Sequence, residues 1–216
     1  MDTSKPIVAL FDFDGVIMDT EPQYYIFWKE IGDVYFPEIE NFSNIIKGST
    51  LVQIYDKYFK GMDAEQAAIT EKLVDFENNM QFDYVPGADA FLRVLQEKQI
   101  PAAIVTSTNQ QKMANVYAVH PEMKTLVDKV LTSEYFTRSK PFPDCYLMGA
   151  QEMGTVPENC IVFEDSFHGI AAGNAAGMHV IGLSTTNPKE AIENQCRLVI
   201  PDFTHFTYEE MLSVMD

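Results

Sequence analysis

Apolar positions fall in two rhythms along this chain. Short, mainly apolar runs occupy residues 7–13, 102–106, 129–132, 160–164, 179–183 and 198–200, each about the length of a buried strand. Between them, stretches near 88–98, 109–118, 143–153 and 168–176 mix apolar and polar residues with helical spacing. Strand-sized runs separated by amphipathic helices predict an α/β fold: a Rossmann-like parallel-sheet core covered by helices on both faces. Gly177 follows the stretch at 168–176, where a helix C-terminus favours glycine.

Residues 20–84 carry only helical signals. Tyr24, Phe27, Trp28 and Ile31 are spaced i, i+3, i+4, i+7, and Leu51, Ile54, Tyr55 and Tyr58 repeat that spacing. Ile69, Leu73, Phe76 and Met80 continue at i, i+4, i+7, i+11. Such stripes predict a small all-helical cap with its own apolar core, inserted after the first strand. The core domain is then 1–19 plus 85–216, and the cap is 20–84. Thr20 and Gln23 match a capping box with Pro22 in the first turn. The return at Val85-Pro86-Gly87 pairs with the exit after the first strand as two hinges of a lid.

Apolar residues make up 46% of the 216, enough for a sizeable core without a membrane span, since no run reaches about eighteen residues. The N-terminal residues lack a signal-peptide layout. Three scattered cysteines, Cys145, Cys160 and Cys196, suit a reducing, cytoplasmic setting better than a disulfide scaffold. Thirty-two acids against fifteen bases leave a net charge of −17, which argues against nucleic acid and anionic membranes as partners. A small anionic substrate then needs a local metal ion or well-placed lysines.

Four features carry chemistry. Asp12-Phe13-Asp14-Gly15 ends the first strand, and open parallel sheets bind ligands beyond the carboxyl ends of their strands. Two acids so close call for compensation, which a hard cation such as Mg²⁺ provides through oxygen ligands. Glu164-Asp165 closes the run Cys160–Phe163 and makes a second acidic strand end, while Asp165 or Ser166 can also cap the next helix. Thr106-Ser107-Thr108-Asn109 stands between a strand and a helix, where hydroxyls and backbone N–H groups can hold an anion or simply cap the helix. Lys140 precedes Pro141, which disfavours helix there, and a lysine near such acids can bind phosphate and neutralise a carboxylate.

In order and spacing these features resemble the haloacid dehalogenase-type hydrolase superfamily, in its branch with a small helical cap after the first motif. The stretch Glu164-Asp-Ser-Phe-His-Gly-Ile-Ala-Ala-Gly-Asn-Ala-Ala-Gly177 looks most like the β-phosphoglucomutase-like group, which includes many sugar-phosphate phosphatases. The resemblance implies a Mg²⁺-dependent phosphatase acting on a small phosphorylated metabolite through an aspartyl-phosphate. Asp12 would be the nucleophile and Asp14 the general acid and base. Thr106, Ser107 and Lys140 would bind the phosphate. The metal would be held by Asp12, the Asp14 carbonyl and Asp165, with Glu164 supporting it directly or through water. Asp14 must be protonated in the first half-reaction, and an acidic neighbourhood would favour that.

Two positions depart from β-phosphoglucomutases. Tyr24 stands where they carry a cap histidine, and Leu51 where an arginine grips the second phosphate of a bisphosphate. Both departures favour a phosphatase over a phosphomutase. Tyr24 and Lys47 are the cap residues expected to contribute to substrate choice. A metabolite-binding module without turnover is a further alternative, disfavoured by the intact set of Asp12, Asp14, Thr106, Lys140 and Asp165. The expected assembly is a monomer or weak dimer.

Overall fold

In a computed structural model describing residues 4–47 and 49–215, the six apolar runs become six strands. They are β1 (Val8–Phe11), β2 (Ala102–Val105), β3 (Lys129–Leu131), β4 (Cys160–Glu164), β5 (His179–Leu183) and β6 (Leu198–Ile200). Among the described residues they form one sheet in the order β3-β2-β1-β4-β5-β6, with every neighbouring pair parallel. Several runs extend past their strands: β1 ends at Phe11, not at Phe13, because the chain turns into the acidic loop there.

The order places β1 at the centre, with Phe11 opposite Ile104 of β2 on one side and Phe163 of β4 on the other. All four β1 residues are buried completely, which is why the run reads as continuously apolar and does not alternate. One face packs Val8, Leu10, Val105, Val162 and Val180 into an aliphatic cluster with Cys145, Tyr146 and Ile170. The other carries an aromatic cluster, in which Phe11 and Phe163 stack at 4.4 Å and Phe91 and Phe203 at 5.3 Å.

Helical labels follow chain order. The segment Thr20–Gln81 is a compact unit of its own, made of α1 (Glu21–Tyr35), α2 (Phe42–Ile45), α3 (Leu51–Tyr58) and α4 (Asp63–Asn78). The strands belong to the second unit, together with α5 (Ala88–Glu97), α6 (Gln110–Val119), α7 (Met123–Leu126), α8 (Asp144–Glu152), α9 (Phe167–Ala175), α10 (Lys189–Ile192) and α11 (Tyr208–Ser213).

The helical unit buries Phe27, Trp28, Ile31, Ile54 and Ile69 together, with Tyr24, Leu51, Tyr55, Tyr58, Leu73 and Phe76 packed around them. Met80 lies beyond the end of α4, so the third stripe overruns its helix. The capping box expected at Thr20 does not form, because Thr20 has helical dihedrals and its side chain makes no cap bond. The side chain of Gln23 instead pairs with the Gln81 backbone, donating to its carbonyl at 2.8 Å and accepting from its N–H at 2.9 Å, which ties the two ends of the unit together. Capping boxes do form at Thr50–Gln53 and Thr207–Glu210.

The unit stops at Gln81, short of residue 84, because Phe82–Val85 bond to the strand-bearing unit. The Phe82 carbonyl faces His120 Nε2 at 2.6 Å, Tyr84 bridges Met18, and the Val85 N–H donates to the Ile17 carbonyl at 3.0 Å.

Candidate active site

The strand order reverses direction between β1 and β4, and this switch point is where a crevice opens at the carboxyl ends of a doubly wound sheet. Asp12 follows β1 there, and Glu164-Asp165 closes β4 beside it. The Asp12 N–H still donates to the Phe163 carbonyl at 3.0 Å, so the ladder itself holds the two acidic strand ends in register.

Lys140, from the loop before α8, reaches into this acidic point. Its Nζ lies 2.8 Å from Asp12 Oδ1 and 2.6 Å from Glu164 Oε1, and donates to the Val105 carbonyl at 3.4 Å. The Lys140–Pro141 peptide is cis. Burial works to lower the Lys140 pKa, but the Asp12 and Glu164 carboxylates outweigh it and hold the ammonium above the ordinary lysine range. Burial pushes the Asp12 carboxyl up to about 7, against the pull of Lys140 and with help from the charges of Glu164 and Asp14.

Glu164 is fully buried, and its carboxylate accepts from five donors. Lys140 and the Tyr146 hydroxyl, at 2.8 Å, share Oε1, while the backbone N–H groups of Asp165 and Ser166 and the Ser166 hydroxyl share Oε2. Gly169, in the first turn of α9, leaves the room this carboxylate fills, since a Cβ there would run into it. Ser166 is the cap of α9, accepting from the Gly169 N–H at 3.0 Å.

Asp165 is held differently. Its Oδ2 accepts from the Thr186 hydroxyl, and its carbonyl accepts from the Asn187 side chain at 2.9 Å. Gly15, with φ of +75°, turns the Asp12–Asp14 loop against this carboxylate, and a Cβ on Gly15 would occupy the space of Asp165 Oδ2. Glycine is required there by conformation and by closeness together.

Asp12, Glu164 and Asp165 each offer a carboxylate oxygen, all within 4.8 Å of one another. Hard oxygen donors at this spacing, with a glycine making room for them, fit a magnesium ion, which commonly takes one or two carboxylates and completes its shell with water and substrate oxygens.

Thr106 is buried after β2 and its hydroxyl accepts from the Thr108 N–H at 3.0 Å, whereas Ser107 is exposed. Asn109 caps α6, accepting from the Lys112 N–H at 2.8 Å. Asp14 departs from the sequence picture. Its surroundings are not only acidic: Lys112 Nζ donates to Oδ1 at 2.5 Å and the Thr108 hydroxyl to Oδ2 at 2.8 Å. The sequence signal for Lys112 is faint, a basic residue in the first turn of a helix, where the dipole disfavours it. Tyr146 reads as one more apolar position of α8, and Thr186 belongs to no motif.

Tyr24 and Lys47 belong to the helical unit and are engaged within it. The Tyr24 hydroxyl donates to Glu77 at 2.7 Å, and Lys47 Nζ lies 3.9 Å from Glu21.

A family model described as haloacid dehalogenase-like hydrolase matches residues 9–183, which spans every acidic and basic group at the strand ends. The chain belongs to this family. Hexitol phosphatase A of Escherichia coli K12 is 33% identical to it over 184 residues, covering 81% of this chain and 82% of that protein. β-Phosphoglucomutase of Bacillus subtilis 168 is 24% identical over 194 residues, covering 83% and 84%. A family IA, variant 3 hydrolase of this superfamily from Entamoeba histolytica superposes with a TM-score of 0.81 at 27% identity, covering 96% of this chain and 98% of that one.

Proposed function

We propose that this hydrolase is a Mg²⁺-dependent phosphatase that removes phosphate from a small phosphorylated metabolite, a sugar phosphate, through an aspartyl-phosphate on Asp12. The observation that carries the proposal is the convergence of Asp12, Lys140, Glu164 and Asp165 at the switch point of the sheet. The similarity to a hexitol phosphatase supports the substrate class.

Magnesium would be held by the Asp12 and Asp165 carboxylates and the Asp14 carbonyl, with Glu164 supporting it directly or through water. Bound there, the ion would supply positive charge to offset that of the phosphoryl group. The protein does the rest. Asp12 attacks phosphorus in line as the ester oxygen leaves, which splits one difficult displacement into two easier ones. Asp14 gives a proton to the departing oxygen, then takes one from the water that hydrolyses the aspartyl-phosphate. Lys140 bridges nucleophile and phosphoryl group, and Glu164 keeps its ammonium in place. Thr106 and the Ser107 backbone bind the phosphate. We assign substrate selection to the helical unit, including Tyr24 and Lys47, and the role of a lid to its two connections.

A phosphomutase is the second reading, supported by the similarity to β-phosphoglucomutase. Two features favour hydrolysis. Tyr24 is bonded to Glu77, and Leu51 packs against the apolar core of the helical unit, so neither supplies a cation for a second phosphate. The free thiols of Cys145, Cys160 and Cys196 support a reducing compartment. Among the described residues no helix is long and apolar enough to cross a membrane.

The test is phosphate release from a panel of sugar phosphates and nucleotides, with Mg²⁺, with chelator, and with Asp12→Asn. Release that needs both Mg²⁺ and Asp12 is expected. Interconversion of hexose phosphates only when a bisphosphate is added would select the mutase instead.

A further inference from the structure

Lys112 is a second buried cation of the site, and no motif accounts for it. Its side chain is 1% exposed and its Nζ is 2.5 Å from Asp14 Oδ1. Two physical rules oppose a lysine here. Burying an ammonium costs free energy unless an anion compensates it. The first turn of α6 adds the positive end of a helix dipole, and the Asn109 cap fixes Lys112 in that turn. Asp14 is the anion that meets the first rule, so a buried lysine kept against the helix dipole, with the ring of Phe13 5.8 Å from its ammonium, points to a task at the group it touches.

That group is Asp14, and its two oxygens are treated differently. Lys112 holds Oδ1 and the Thr108 hydroxyl holds Oδ2. An ammonium can only donate, so Oδ1 stays an acceptor and any proton on this carboxyl resides on Oδ2. A hydroxyl both donates and accepts, so Thr108 can serve Oδ2 with or without that proton.

We infer that Lys112, with Thr108, is a positioning pair that fixes the Asp14 carboxyl so that Oδ2 is the oxygen exchanging protons with the substrate. The inference rests on the proposed role of Asp14 as general acid and base. In the first half-reaction the bond between phosphorus and the ester oxygen breaks, a bond from Asp12 to phosphorus forms, and the Oδ2 proton passes to the departing oxygen. In the second, water attacks the same phosphorus, the Asp12–phosphorus bond breaks, and one water proton returns to Oδ2. Protons, charge and phosphate balance over the cycle. Lys112 touches neither phosphorus nor leaving group, and acts through Asp14.

The experiment compares an alkyl with an aryl ester by kcat/KM, which reports steps only up to leaving-group departure. Fructose 1-phosphate, or the sugar phosphate of the panel turned over fastest, needs a proton on its leaving oxygen. p-Nitrophenyl phosphate releases a stable phenolate and does not. For Lys112→Met the expected loss on the sugar phosphate is about 10- to 100-fold, part of the 10²–10⁴ that a positioned acid contributes, with less than about threefold on the aryl ester. Thr108→Val, a near-isosteric change at a half-buried site, should show the same split in smaller measure, and carries the test if Lys112→Met does not fold. Lys112→Arg should recover part of the sugar-phosphate rate. A role confined to folding would lower both substrates in proportion, and that result, or no loss on either, overturns the inference. Asp12→Asn and Asp14→Asn separate it from the reading beneath it. If Asp12→Asn abolishes turnover and Asp14→Asn shows the split while the Lys112 and Thr108 variants do not, the positioning pair fails alone. If Asp12→Asn retains turnover or Asp14→Asn shows no split, the proposed mechanism fails and the pair with it.

Discussion

Replacing Lys140 by methionine tests how strongly the charges at the switch point depend on one another. The ammonium sits 2.8 Å from Asp12 and 2.6 Å from Glu164, with side-chain exposures of 6%, 13% and 0% for the three groups. At an effective dielectric constant of about 20, each attraction is worth ~6 kcal/mol. Desolvating the three charges offsets most of that sum, but the offset has already been incurred in the folded protein. Removing only the cation leaves two carboxylates buried without their partner, and such one-sided losses typically cost about 3–5 kcal/mol. For a chain of this length each kcal/mol moves the melting point by about 2–4 °C, so Lys140→Met should melt roughly 6–20 °C below the parent in chelator.

The control is Lys129→Met. Lys129 is also 2.6 Å from a carboxylate, that of Glu152, but the two side chains are 42% and 35% exposed. Water screens that pair, and its loss should cost no more than about 1 kcal/mol. Thermal melts followed by circular dichroism read both variants. Equal shifts would refute the reasoning, because the Lys140–Glu164 and Lys129–Glu152 contacts are equally short, while Lys140 is buried and also holds Asp12.

Three further outcomes are expected. Magnesium in 100-fold excess over its dissociation constant should stabilise the protein by about 2.7 kcal/mol, roughly 5–11 °C in a melt, and Asp165→Asn should abolish that shift. Gly15→Ala places a side chain at φ +75° and into the Asp165 carboxylate, so the melt should fall by roughly 2–8 °C and turnover at least about tenfold, checked by calorimetry and phosphate release. Burial pushes the Cys145 and Cys196 thiols up to about 11 and Cys160 to about 12, from 9.0. Their folded pKa values are raised, so the stability they contribute is complete below about 9 and lost as pH climbs through 11–12. At pH 8 Cys145 and Cys196 should therefore react with iodoacetamide about 100-fold, and Cys160 about 1,000-fold, more slowly in the native than in the guanidinium-unfolded chain, which a timed thiol assay reads directly.

Much of this was legible in one dimension. A strand buried on both faces must be apolar almost throughout, so β1, β2, β4 and β5 announce themselves as mainly apolar runs, and the chemistry stands at their ends because sheets bind ligands there. Asp12, Lys140, Glu164 and Asp165 carried local signals, acids closing an apolar run or a lysine before proline. The helical unit was equally plain, since its side chains bury against one another at helical spacing. Its edges were less so: the capping box written at Thr20 is undone by helical dihedrals, and Phe82–Val85 pair with residues far away in sequence.

What the fold alone decides is which charges meet. Lys112 and Asp14 are 98 residues apart, Tyr146 and Glu164 18, and Thr186 and Asp165 21, and no spacing rule connects them. Periodicity records which side of an element faces the core, because that is set within a few residues by backbone geometry. Electrostatic partnership is set by distance across elements, and the crossovers of a parallel sheet bring together strand ends from all along the chain. The sequence therefore determined the sheet, the helical insertion and the acidic strand ends, while only the tertiary structure decided that Asp14 faces a buried ammonium, and not acids alone.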